Sequence, residues 1–355
     1  MRVVVTGATG HLGRLAADAL VRRGIAASDI VTAGRNPDRL DALASNGFAV
    51  APIDYDDPAS LRKSFDTAGK LLLVASSEFG RRAAHHRKAI EAARDVGVGL
   101  IVYTSLAAAG RNSSGLSAEH RETEESLRSG GSAFVLLRNG WYMENFTALI
   151  GRYRRQGRIV GASGTGRISA ATRADLADAA ARVLTSAGHE GATYELGGDN
   201  AFTMAEFAAE LSRQTGEDVS WHNMPADEYE QFLAGKGYPA AAAALWAGVE
   251  RSLGADELLV DGGDLRRLIG RPPTDMARAI AEAIALPARL FSGSRTVFSS
   301  RDRSGVAQPP GRPAGRLPRS RWLCPKPARP DRAGRLAADR SSRAPHPVPR
   351  RRRSR

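Results

Sequence analysis

Apolar and polar positions follow two patterns along the first 140 residues. Short unbroken apolar runs, such as Val3–Val5, are typical of strands buried on both faces of a parallel sheet. Between these runs lie segments whose apolar residues are three and four positions apart, the spacing of amphipathic helices. Strands that alternate with single helices predict right-handed crossovers and an open parallel sheet.

Six strands are predicted, at residues 3–5, 29–34, 48–55, 70–77, 100–105 and 133–140, with helices between them. After residue 140 the pattern becomes more helical and less regular, with a helix N-capped by Thr203 and a short strand at 217–224. We expect an α/β fold: a Rossmann-type parallel sheet with helices on both faces, and a smaller, mainly helical C-terminal α/β domain. The first domain is predicted to span residues 1–185 and the second residues 186–287. Within the first range, residues 141–157 are expected to contribute to the second, smaller domain.

Charge separates a tail from the body of the chain. Residues 288–355 contain 19 Lys+Arg and 3 Asp+Glu, whereas residues 1–287 contain 32 and 35. The tail also holds 10 of the 18 prolines and the only cysteine, Cys324. We expect it to be disordered, as decoration or as the product of a shifted reading frame. Its arginines could bind nucleic acid non-specifically, but no interleaved aromatic residues indicate a specific site.

Several classes of site and location are excluded on composition. The body has no cysteine, so disulfides, thiolate metal sites and cysteine nucleophiles are not expected there, and we predict no metal. No apolar run approaches the roughly 20 residues that span a membrane, and the first strand leaves no room for a signal peptide. We therefore expect a cytoplasmic protein without a membrane partner, and a homodimer is left open.

Three glycines follow the first strand in the segment VVVTGATGHLG. Gly7, Gly10 and Gly13 permit a tight turn, close approach of the backbone to a ligand, and close packing of the next helix. The N-terminus of that helix favours an anion. A purely structural turn is the alternative, but the strand before and the helix after favour nucleotide binding.

The end of the second strand indicates which nucleotide binds. An acid at this position would bind the 2′-hydroxyl of NAD, whereas an arginine accommodates the 2′-phosphate of NADP. The sequence there is TAGRNPDRL, with Arg35 directly after the strand and no acid at its end. Unless Arg35 is only a solvated loop residue, the cofactor is NADPH.

The phrases TGATGHLG, AGRNP, DYDDP, VYTSL and LLRNGWYMENF occur in an order and spacing that resemble the short-chain dehydrogenase/reductase superfamily, in its atypical NmrA-like branch. The phrases LLLVASSE, AEHRETEESL and SAATRADLADAAARV make the chain most similar to the bacterial NAD(P)H:quinone oxidoreductases of type two. The resemblance covers about residues 1–287.

The resemblance implies a cofactor site in four parts. Gly7, Ala8, Thr9, Gly10, His11, Leu12 and Gly13 would surround the pyrophosphate, with Arg35 at the 2′-phosphate. Ser76, Ser77 and Glu78 would pass beneath the nicotinamide ribose. Arg138, Asn139, Gly140, Trp141, Tyr142 and Met143 would line the nicotinamide side, and Arg173 would close the site. Trp141 and Tyr142 would suit a flat quinone, although packing between the domains is an equal alternative.

The proton donor of the superfamily is missing. Typical members carry Tyr-x-x-x-Lys on the helix after the fifth strand, whereas this chain keeps a candidate serine, Ser105, and has His120 and Glu124 at that spacing. His120 could assist protonation. We favour the interpretation that the two form an i,i+4 pair on a solvated helix face, and we assign no catalytic residue.

Loss of the Tyr–Lys proton donor does not exclude hydride transfer to every acceptor. Hydride addition to a ketone leaves an alkoxide that needs an acid, but addition to a quinone leaves a phenolate, whose pKa is near the ~10 of tyrosine. We therefore expect an NADPH-dependent quinone reductase acting on a small-molecule quinone. The alternative is an NmrA-like redox sensor that binds NADP(H) without turning it over.

Overall fold

The computed structural model describes residues 1–260 and 263–285. The predicted tail at 288–355 therefore lies outside the described residues. Within the described residues, seven parallel strands form one sheet: β1 (Val3–Val5), β2 (Ile30–Gly34), β3 (Ala49–Pro52), β4 (Lys70–Leu73), β5 (Leu100–Leu106), β6 (Phe134–Asn139) and β8 (Thr193–Leu196). Their order across the sheet is β3-β2-β1-β4-β5-β6-β8.

Helices cover both faces of this sheet, because successive side chains of a strand point to opposite faces. Val3 and Val5 belong to the core under one group of helices, and Val4 belongs to the core under the other. The first group is α1 (His11–Arg22), α8 (Arg173–Thr185) and α12 (Asp264–Ile269). The second group includes α3 (Pro58–Phe65), α4 (Arg82–Asp95) and α5 (Gly115–Ser129), and α2 (Pro37–Ala44) lies beside β2 and β3.

A smaller layer is built from the remaining elements. Strands β7 (Arg158–Gly161) and β9 (Ser220–Asn223) pair in parallel as a second sheet. The helices are α6 (Glu144–Thr147), α7 (Ile150–Gln156), α9 (Met204–Thr215), α10 (Ala226–Gly235), α11 (Ala240–Gly254) and α13 (Met276–Ala285). Their shared core is rich in aromatic residues, including Phe146, Phe202 and Phe207.

The predicted fold class is confirmed, and all six predicted strands are present. The pattern missed β7 and β8. Strand β8 lies past the predicted boundary at residue 185 and still joins the large sheet beside β6, so the chain returns to the first layer before the second is complete. Among the described residues, no helix is long and apolar enough to cross a membrane.

The strand order reverses between β1 and β4, because the chain moves outward through β2 and β3 before it returns to the other side of β1. In open parallel sheets a ligand crevice forms at such a point, beyond the carboxyl ends of the strands. The loops after β1, β2 and β4 therefore meet at one place.

Candidate cofactor site

A cleft of about 360 Å³ lies where these loops meet. The predicted residues that line it are Gly7, Thr9, Gly10, His11, Leu12, Gly13, Arg35, Ser76, Ser77, Tyr142 and Arg173. Gly34, Arg39, Ile53, Tyr55, Val74 and Ala75 also line it. Ala8 is predicted too, but it lies buried in the core beside the loop.

The glycine loop is shaped so that backbone can approach a ligand. Gly7 has φ +61°, a conformation that favours glycine, and a Cβ on Gly13 would lie 2.5 Å from the carbonyl oxygen of Gly7. The N-cap residue of α1, Gly10, offers no side-chain cap to the first turn. The N–H groups of that turn are left for an anion, which the helix dipole also favours.

Two arginines lie just beyond β2, and the strand itself ends in Gly34 and not in an acid. Arg39 donates from Nη1 to the carbonyl oxygen of Thr9 at 2.8 Å, which ties the first turn of α2 to the glycine loop. Arg35 is half-exposed and forms an ion pair with Glu78. A glycine cradle beside two guanidinium groups fits a dinucleotide that carries a 2′-phosphate.

Glu78 itself does not line the cleft. The structure places its carboxylate against Arg35, at the end where the ribose phosphate is expected, rather than beneath the nicotinamide ribose. His85 Nδ1 lies 3.5 Å from Glu78 Oε2, and the His85 ring stacks on Tyr55 with 5.3 Å between centroids. Tyr55 was missed as a lining residue, although the phrase DYDDP marked its position at the end of a strand.

Ser76 is held from below by buried side chains of α4. Its N–H donates to His86 Nε2 at 3.1 Å, and its carbonyl oxygen accepts from Arg82 Nε at 2.6 Å. Because Nε2 accepts, the His86 proton lies on Nδ1, which is 3.1 Å from Thr123 Oγ1. Burial lowers the pKa of His86 to about 3, so this ring is neutral.

Of the segment 138–143, only Tyr142 reaches the cleft. The guanidinium of Arg173 lies 4.3 Å from the centre of the Tyr142 ring, a cation–π contact. Arg173 also donates from Nη2 to Asn145 Oδ1 at 3.0 Å and pairs with Glu144 at 3.4 Å. These contacts fix Arg173 at the start of α8.

The other residues of this segment point elsewhere. Trp141 and Met143 lie in the core of the smaller layer. Asn139 is buried, and a Cβ on Gly140 would lie 2.6 Å from the carbonyl oxygen of Ser169. The structure therefore places none of these four residues in the lining of the cleft.

Arg138 is also outside the cleft, for a reason set by strand register. Ser105, Arg138 and Glu195 are neighbours across β5, β6 and β8. Arg138 donates to Glu195 Oε1 at 3.0 Å and to both carboxylate oxygens of Glu124, at 2.9 and 2.7 Å. The guanidinium is thus held between two carboxylates.

The prediction that His120 and Glu124 form a pair on a solvated helix face is wrong. Both side chains are buried, and Glu124 is 1% exposed. Ser105 Oγ donates to Glu124 Oε1 at 2.7 Å, and His120 Nδ1 lies 2.7 Å from the Tyr103 hydroxyl. Helix α5 turns this face toward the sheet, so the two residues bond inward to strand residues.

Electrostatics also argue against His120 as a proton donor. Burial lowers the pKa of His120 well below its usual range, and the Arg82 and His86 side chains act in the same direction. The imidazole is therefore neutral at physiological pH. Burial alone would raise the pKa of Glu124, but the hydrogen bonds from Arg138 and Ser105 outweigh it and hold this pKa below its ordinary value.

Comparison with known proteins agrees with this geometry. Residues 7–187 match the NAD(P)H-binding family. The chain is 42% identical over 279 residues to quinone oxidoreductase 2 of Escherichia coli, which covers 79% of this chain and 97% of that protein. An NADPH-dependent quinone oxidoreductase from Escherichia coli in complex with NADPH superposes with a TM-score of 0.77 at 42% identity, covering 79% of this chain and 99% of that one.

More distant relatives extend the group. The triphenylmethane reductase of Citrobacter sp. is 32% identical, with a TM-score of 0.76, covering 81% of this chain and all of that one. An NmrA-like oxidoreductase of Aspergillus flavus is 26% identical and covers 79% of this chain and 95% of that protein. The chain therefore belongs to the NAD(P)H-binding family, as an NmrA-like atypical short-chain dehydrogenase/reductase of the quinone oxidoreductase 2 type.

Proposed function

We propose that this protein is an NADPH-dependent quinone reductase. The observation that carries the proposal is the cleft itself, in which a glycine loop meets Arg35 and Arg39, while β2 ends in Gly34 and not in an acid. The Escherichia coli relative described above, named as a quinone oxidoreductase, supports the acceptor class.

The residues of this chain bind and orient, and they supply no proton from the position where the superfamily keeps its tyrosine. The glycine loop and α1 would hold the pyrophosphate, and Arg35 the 2′-phosphate. Ser76, fixed by His86 and Arg82, and Tyr142, fixed by Arg173, would border the nicotinamide half. NADPH, when bound, supplies the hydride.

Acceptor chemistry explains why positioning is enough. Hydride addition to a quinone gives a phenolate, and the corresponding phenol has a pKa of about 10. Water can protonate such an anion without an internal acid. Orientation and proximity are then the main contributions of the protein. The binding roles given above to the glycine loop, Arg35, Ser76, Tyr142 and Arg173, the domain boundaries at 185 and 287, and a cytoplasmic location remain parts of this proposal, with a homodimer left open.

The test is NADPH oxidation by the full chain with 1,4-benzoquinone and no added flavin. Turnover should be faster with NADPH than with NADH. Arg35→Ala should raise the KM for NADPH about 10-fold, since a charged hydrogen bond contributes about 1.5–3 kcal/mol and Arg35 is half-exposed. Arg87→Ala, on the exposed face of α4, serves as the control. Tight NADPH binding without turnover would instead favour the sensor.

A further inference from the structure

A second cavity, of about 230 Å³, lies in the smaller layer. Its walls are rich in aromatic residues. They include Trp141, Phe146, Tyr153, Trp221, Tyr229 and Trp246. Trp141 and Trp246 meet edge to face, with 6.4 Å between ring centroids and an interplanar angle of 76°. Such walls suit a planar ring, and the volume is below the roughly 300–1,000 Å³ of drug-sized sites, so one small ring system would fill it.

This cavity adjoins the cofactor cleft. Trp141 lines the cavity and the next residue, Tyr142, lines the cleft. Arg173, a cleft residue, donates to Asn145, a cavity residue, at 3.0 Å. The same short segment therefore borders both spaces.

One acid interrupts the aromatic wall. Glu250 on α11 lines the cavity, and its Oε2 accepts from the N–H of Ala162 at 2.9 Å. Burial raises the pKa of Glu250, and the hydrogen bond from the Ala162 N–H only partly offsets this. Its neutral form can donate a hydrogen bond as well as accept one.

We propose that this cavity binds a second ring of the acceptor, and that Glu250 selects rings that carry a hydroxyl or carbonyl oxygen. The proposal rests on the quinone reductase function proposed above and names its substrate class: fused-ring quinones with an oxygen substituent on the second ring. A single-ring quinone would leave the cavity unused.

Kinetics of the full chain with two acceptors test the ring site. The value of kcat/KM should be about 10-fold higher for 1,4-naphthoquinone than for 1,4-benzoquinone. Leu149→Trp, which fills the cavity from its wall, should reduce this ratio to about 2 or less, and Val160→Phe is a second filling variant. Ile269→Trp, a half-buried position on α12 outside both spaces, is the control. An unchanged ratio in both filling variants would overturn the ring site.

The role of Glu250 in selecting oxygen-bearing rings is tested by a separate comparison of substrates. Wild-type protein should prefer 6-hydroxy-1,4-naphthoquinone, whose hydroxyl cannot bond to its own ring carbonyls, to 1,4-naphthoquinone about 5- to 10-fold, which corresponds to one hydrogen bond. Glu250→Gln, which keeps a donor and an acceptor, should retain this preference, and Glu250→Leu should lose it. Retention of the preference by Glu250→Leu would refute the assignment.

Failure of the reductase function can be told apart from failure of the site. If the wild-type chain reduces no quinone, binding of 1,4-naphthoquinone is measured directly by saturation-transfer NMR without cofactor. Signal in wild type and Ile269→Trp that disappears in the filling variants would support the site in the absence of turnover. Equal signal in all of them would reject it.

Discussion

Replacement of Glu124 by Gln should lower the free energy of unfolding by about 2–3 kcal/mol at neutral pH. The carboxylate is 1% exposed and receives two hydrogen bonds from Arg138 and one from Ser105. Arg128 lies 3.2 Å away on the next turn of α5. The Gln side chain keeps the shape and one oxygen but loses the charge.

The expected loss of stability depends on which hydrogen bonds the partners of Glu124 keep after the substitution. Removal of one member of a buried ion pair typically costs about 3–5 kcal/mol, because the other charge is left uncompensated. Here Arg138 keeps its bond to Glu195, and Ser105 can still donate to the amide oxygen. The expected cost of Glu124→Gln, about 2–3 kcal/mol, is therefore lower than the usual cost of breaking a buried ion pair.

The assay is urea unfolding of the full chain, with Glu122→Gln as the matched control. Glu122 is on the exposed face of the same helix, so its replacement should change stability by less than about 0.5 kcal/mol. Equal effects of the two substitutions would refute the argument.

The stabilisation that the Glu124 carboxylate contributes should decrease at low pH. The pKa of Glu124 is lowered in the folded protein, whereas an unfolded Glu titrates near ~4.3. The stabilisation is therefore complete above that value and is lost as the pH falls through the folded pKa. The difference between wild type and Glu124→Gln should shrink below about pH 4. A difference that stays constant down to acid unfolding would contradict the pairing.

Three further predictions concern single contacts. Glu78→Gln frees Arg35 from a partly exposed ion pair, so the Kd for NADPH should fall about 2- to 5-fold while that for NADH stays within twofold; equal changes would contradict the assignment. Gly13→Ala should abolish NADPH binding in calorimetry while the far-UV spectrum stays folded, because its Cβ would lie 2.5 Å from a loop carbonyl. Tyr103→Phe removes the bond to His120 and should cost about 1 kcal/mol in urea unfolding; a neutral result would show that this bond is not made.

The strands and the glycine loop could be predicted because their signals are local. An apolar run such as Leu71–Leu73 indicates a buried strand regardless of what pairs with it. Loops at the carboxyl ends of such strands must share one edge of the sheet, so Arg35 and Ser76 could be placed near the glycine loop from order alone. The cleft indeed brings Arg35 and Ser76 to this loop.

The direction of Arg138 could not be predicted, because it depends on the strand that was missed. Strand β8 has only four residues, Thr193–Leu196, and so short an alternation of polar and apolar residues is weak evidence for a strand. Glu195 stands opposite Arg138 in that strand. Without β8 the sequence pattern gives Arg138 no strand partner, and the family resemblance alone places its guanidinium at the cofactor.

The buried side chains of α5 also bear on the reaction. His120 and Glu124 stand at the spacing of the lost Tyr and Lys, yet each is committed to a strand residue, Tyr103 and Ser105. The neutral imidazole and the ionised carboxylate have no proton to give at physiological pH. A ketone would need such a proton in its transition state, whereas a quinone does not. The same contacts that stabilise α5 on the sheet therefore remove His120 and Glu124 as proton donors, which favours acceptors whose reduced form is a stable anion.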